Sequence, residues 1–115
     1  MSTEVLVQPR EIIDLAYRIT RVAGVAHGDA ELVARWATRA LIDGDDHLAV
    51  VVAAPASLIE AGRAAERAGT ANPQDAPAYR DATRHGITIA RDQFDALYDA
   101  AARFLVAETV LDEIG

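Results

Sequence analysis

Apolar residues that recur every three or four positions restrict this chain to helices more strongly than any other feature of its sequence. From Glu11 to Ala23 they are Ile12, Leu15, Ala16, Ile19, Val22 and Ala23, a spacing that lines them up on one stripe of an α-helix. Pro9 near the start and Gly24 just past the end fit a helix of that extent. A second stripe follows in Leu32, Val33, Trp36, Ala37, Ala40 and Leu41, with Asp29 placed to cap its amides and Gly44 placed to end it. Joined through Gly24 to Gly28, the two helices make an αα-hairpin. The outer face of the second carries Glu31, Arg35 and Arg39. The Glu31 to Arg35 order is the favourable i,i+4 one, worth about 0.2 to 0.5 kcal/mol.

Leu48 to Ala54 is uniformly apolar, and its valines at 50, 51 and 52 suit a buried strand as well as a buried helix. Helix is favoured because alanines flank the valines, Asp46 can cap the start, and Ser57 to Ala68 continues with Leu58, Ala61 and Ala65 on one stripe. Pro55 then kinks the helix or marks a fresh first turn. A helix that is apolar all round needs cover on every side, and in so short a chain part of that cover is expected from another subunit. Gly69 to Gly86 holds Pro73, Pro77, Asn72 and two Asp, a composition that reads as one long loop. Ile87, Thr88 and Ile89 suit a short strand or an extended approach to a last helix. That helix should start near Arg91 or Asp92 and bury Phe94, Leu97, Tyr98, Ala101, Phe104 and Leu105, with Asp92 and Asp95 near its positive end. Val106 to Ile114 either continues it or turns a corner. The expected fold class is therefore all-α: a small four- to five-helix bundle that starts with an αα-hairpin, with one long loop over 69–86 and an optional extended segment at 87–89. A length of 115 residues fits a single helical domain, 1–115, that buries about two-thirds of its unfolded surface.

Charge and composition narrow the function. Asp and Glu number 18 against 11 basic residues, all Arg, for a net charge of −7. This argues against docking on nucleic-acid phosphates or an anionic membrane. Without Cys there is no disulfide frame, thiolate zinc site, iron–sulfur cluster or Cys nucleophile. Met1 to Arg10 lacks the basic start and apolar core of a signal peptide, and Leu48 to Leu58 is too short to span a bilayer. A cytoplasmic protein is expected. No serine triad is expected, because Ser2 and Ser57 are the only serines and neither has a base at a recognisable spacing, and no Gly-rich phosphate loop occurs.

Two polar clusters remain as candidate sites. Asp43, Gly44, Asp45, Asp46 and His47 gather carboxylates and an imidazole in five residues, chemistry that suits a divalent cation or proton transfer. In that reading His47 is the general acid or base, and Asp45 or Asp46 orients it or holds a cation. The same spacing also serves a helix stop at Gly44, a cap at Asp46 and solvated charges. Arg80, Arg84 and His85, with Tyr79 beside them, form the second cluster. Two guanidiniums four residues apart can clamp a carboxylate or phosphate, and on a surface loop they need no function. His27 reads as a solvated turn residue, Trp36 as core, and Tyr17 as a residue at the edge of an interface. Whether a metal binds is left open, and no cofactor is expected.

The run AGVAHGDAELVARWATRALIDGDDH, Ala23 to His47, resembles the N-terminal helical segment of the malate/L-lactate dehydrogenase-type NAD(P)-dependent oxidoreductases, which typically read AGV, DA-x-LVA and G-x-D-S-H-G. Gly24, Val25, Asp29, Ala30, Leu32, Val33, Ala34 and Gly44 fall in the matching order, and weaker similarity runs through Pro55 to Gly69, about half the chain. The resemblance makes His47 the counterpart of the family's catalytic His. Asp46 stands in place of the Ser and Leu48 in place of the Gly, with the spacing shifted by one residue. The family's nicotinamide-binding and substrate portions have no counterpart in these residues, so hydride transfer by this chain alone is not expected. GITIARDQFDALYDAAARFLVAETVLDEIG, from Gly86, is similar to the end of a family of uncharacterised bacterial domains, which implies no function.

Two functional expectations follow. The first is a small helical interaction or accessory protein, a homo-oligomer or the minor subunit of a larger enzyme, because 51% apolar residues leave more apolar stripe than one small core easily covers. The second is a small-molecule enzyme or binding domain in which Asp45, Asp46 and His47 meet the Arg80, Arg84 and His85 loop.

Overall fold

The computed structural model describes the backbone of residues 3–114 and the side chains of residues 3–103. In chain order the elements are β1 (Glu4–Val7), α1 (Pro9–Val22), α2 (His27–Ile42), α3 (Leu48–Ala53), a 3₁₀ turn (Pro55–Leu58), α4 (Ile59–Ala68), a 3₁₀ turn (Pro73–Asp75), α5 (Tyr79–His85), β2 (Ile87–Ala90) and α6 (Arg91–Ile114). The fold is mostly helical, and the αα-hairpin of α1 and α2 is its foundation.

Pro9 occupies the first turn of α1, where its missing N–H costs nothing. Ile12, Ala16 and Ile19 are buried as the stripe requires, whereas Val22 and Ala23 at the helix end are exposed. The second helix begins at His27, two residues before Asp29, because Ala26 takes the extended cap conformation. Asp29 therefore does not cap α2. It reaches across to α4 instead, where its Oδ2 accepts from Arg63 Nη2 at 2.9 Å. That hydrogen bond and the Asp29 charge, with a smaller part from Glu60, raise the Arg63 guanidinium above its ordinary pKa. Gly44 does end α2: at φ 94° it lets its own N–H reach the Leu41 carbonyl and the Asp45 N–H reach the Ala40 carbonyl, the paired bonds of a Schellman stop.

The valine-rich segment is helical. Leu48 and Val51 of α3 are fully buried, three residues apart as on a helix, while Ala49, Val50 and Ala53 face outward. Pro55 opens a fresh 3₁₀ turn that leads into α4. The main core joins α1, α2, α3 and α6 through Ile12, Val33, Leu48, Val51, Leu58 and Leu97. A smaller cluster of Leu32, Ala65 and Ala71 lies between α2 and α4, and Trp36, half-buried, packs against both.

Three further expectations need correction. The segment 69–86 is not one long loop, because it contains the Pro73–Asp75 turn and α5. No residue of α5 is buried, so its sequence carries no apolar stripe to betray it. The fold is also not a purely all-α bundle of four to five helices, since the described residues form six α-helices, α1 to α6, and β1 and β2 pair antiparallel with Glu4 opposite Ala90 and Val7 opposite Ile87. Val7 and Ile89 point into the core, and Leu6 and Thr88 point out. Four residues give too short an alternation to announce β1 beforehand. Finally, Tyr98 is 59% exposed although Leu97 and Ala101 beside it are buried; Phe94 is half-buried. The side chains of Phe104 and Leu105 lie outside the described residues. The last helix runs unbroken over Arg91–Ile114, so Val106 to Ile114 continues it. Among the described residues no helix is long and apolar enough to cross a membrane.

Candidate functional site

The acidic junction begins where the Schellman stop releases the chain from α2. Asp43 stays on the α2 side, its Oδ2 accepting from Arg39 Nε at 3.0 Å, while Arg39 Nη1 donates to the Asn72 carbonyl, also at 3.0 Å. Asp46 faces the other way. Its Oδ1 accepts from the Leu48 N–H at 2.8 Å, which caps the first turn of α3. Both its oxygens also accept from Gln93 Nε2 on α6, at 3.2 and 3.0 Å. Between them His47 Nε2 lies 2.9 Å from Asp45 Oδ2. Its ring rests on the Trp36 indole with centroids 4.8 Å apart and planes tilted by 36°.

Each carboxylate is thus directed to a different neighbour. Among the described residues no group of three or more His, Asp or Glu side chains is placed to hold a metal ion. What the junction retains chemically is one imidazole oriented by one carboxylate. When Nε2–H donates to Asp45 Oδ2, Nδ1 is left as the ring's acceptor.

Arg80, Arg84 and His85 lie on α5 and not on a loop, and all three are exposed. One helical turn separates the two arginines. Arg80 borders an open cleft with Gln74, Pro77, Tyr79 and Asp81. His85 borders another, whose apolar wall is Leu41, Ile42 and Ile87. Among the described residues no hydrogen bond or ion pair joins Arg80, Arg84 or His85 to Asp45, Asp46 or His47.

Two arrangements escape sequence reasoning. The first extends the Glu31–Arg35 pair that the spacing already showed, whose Oε1 and Nη1 are 3.6 Å apart, into a chain of contacts on the hairpin: the Tyr17 hydroxyl is 2.7 Å from His27 Nδ1, and His27 Nε2 is 3.3 Å from Glu31 Oε2. His27 is thereby part of the first turn of α2 and not a free turn residue. The regular spacing of 27, 31 and 35 would reveal it once the helix start is known.

The second is a cleft of about 340 Å³ between α2, the end of α4 and the chain that follows it, bordered by Leu32, Arg35, Glu66, Ala71, Asn72 and Asp75. These residues are far apart in sequence, and only the return of the chain at Gly69 assembles them. Comparison of the chain with protein-family models, with curated proteins and with solved structures finds no match.

Proposed function

We propose that the chain is a small helical interaction protein, which associates with itself or serves as the accessory subunit of a larger enzyme, through the outer side of α3 and the turn after it. The observation that carries this reading is the one-sided cover of α3. Leu48 and Val51 are enclosed by the chain's own core, while Val50 is 37% exposed and Ala49, Ala53, Ala54 and Ala56 also face outward. No charge interrupts the chain from Leu48 to Leu58. Small uncharged side chains let another backbone approach closely, and burying them costs little side-chain entropy.

A small-molecule site at Asp45, Asp46 and His47 draws less support. The Asp46 carboxylate already serves the α3 cap and Gln93, and the α5 arginines stand apart from it. The resemblance of Ala23 to His47 to dehydrogenase segments rests on the sequence alone, and a hydride-transfer role for His47 is not part of this proposal.

Light scattering on the purified chain tests the reading. A mass above that of one chain is expected, with Val50→Glu returning it to a single chain of unchanged helical circular dichroism. A monodisperse single chain at every concentration, with no stoichiometric partner when isolated from its native cells, overturns the proposal.

A further inference from the structure

The cleft beside Arg35 is a built feature. Gly69, at φ 76°, reverses the chain after α4, and the Thr70 N–H returns to the Ala65 carbonyl at 2.8 Å. Arg39 pins the Asn72 carbonyl from α2, and the buried Pro73 anchors the next turn. The walls are therefore fixed from both sides. At about 340 Å³ the space falls at the low end of small-molecule sites.

Its lining combines three kinds of group. Leu32 and Ala71 supply an apolar floor and belong to the small cluster on which Trp36 packs. Glu66 and Asp75 supply carboxylates, and among the described residues neither has a hydrogen-bond or ion-pair partner. Arg35 supplies a guanidinium whose ion-pair partner, Glu31, is 3.6 Å away and leaves most of its N–H groups unused. A lining that holds apolar side chains, a guanidinium and two carboxylates suits an organic molecule that bears both charges. A bare metal ion would gain nothing from the floor, and these residues form no metal-ligating group.

We propose that this cleft binds a small zwitterion of the α-amino-acid class, its ammonium held by Glu66 and Asp75, its carboxylate by Arg35, and an apolar side chain resting on Leu32 and Ala71. The ion pairs give orientation and the floor selects against polar side chains. The site is separate from the α3 surface and does not depend on it.

Leucine, 3-methylbutylamine and 4-methylpentanoate form a matched set of probes: the whole zwitterion, then the same skeleton without its carboxylate, then without its ammonium. Trp36 is the only Trp in the chain, so its emission, together with amide NMR shifts of Leu32, Ala71 and Asn72, reads occupancy. Leucine is expected to produce saturable changes, with the amine and the acid each binding about tenfold or more weakly. Arg35→Gln should remove the advantage of leucine over the amine, and Asp75→Asn or Glu66→Gln its advantage over the acid, in proteins that keep the wild-type circular dichroism. Absence of a saturable change with leucine up to its solubility overturns the proposal. So does equal binding of the amine, or of the acid, by the wild-type protein.

Discussion

One carboxylate, that of Asp46, holds three parts of the molecule in register. It ends the acidic junction, caps α3 through the Leu48 N–H and receives Gln93 from α6. Its value is as a joint between elements more than as a charge. Asp46→Ala is expected to lower unfolding stability by about 1 to 2 kcal/mol, because a cap and an interhelical bond are lost together. Gln93→Ala should cost about 0.5 to 1 kcal/mol, and the double variant less than the sum. Urea denaturation of the four proteins measures the coupling, and strict additivity would mean that the bond to Gln93 contributes nothing. The sequence identified Asp46 as a capping residue. It could not reveal Gln93, because nothing local marks a partner that only the packing of α6 brings near. The placement of Asp29 failed for a related reason: the start of α2 is set by the backbone at Ala26, and the displaced carboxylate then found Arg63 on α4.

At the scale of elements, legibility follows burial. The stripes of α1 and α2 could be read because each sets several apolar residues against the core, and α6 because Leu97 and Ala101 do so. Nothing announced α5, which buries no residue, or β1, whose alternation spans only Glu4 to Val7. The valines of α3 are the instructive case, since composition fits helix and strand alike and only the geometry of burial separates them. A helix encloses Val51 together with Leu48; a strand would enclose Val50 and Val52 with Leu48 instead. Alanine replacements are therefore expected to destabilise most at Val51, by about 2 kcal/mol. Val52 should cost less, and Val50 should stay within about 0.5 kcal/mol. If Val50→Ala proved as costly as Val51→Ala in thermal unfolding, the assigned faces of α3 would be wrong.

For the whole molecule, the two-stranded sheet closes what the helices leave open. Val7 and Ile89 are nearly inaccessible, and the Arg91 N–H donates to the Thr3 carbonyl at 2.7 Å where β2 passes into α6. Removing residues 1–7 should therefore uncover Ile89 and loosen the start of α6. A loss of about 2 to 3 kcal/mol in global stability is expected, along with faster amide hydrogen exchange from Ile87 to Leu97 than in α2. Exchange rates unchanged by the truncation would show that the sheet is ornamental. The pairing of Glu4 with Ala90 also sets an order of events during synthesis. The hairpin of α1 and α2 can form while the ribosome is still at work, but Glu4–Val7 cannot pair until Ile87–Ala90 has been made.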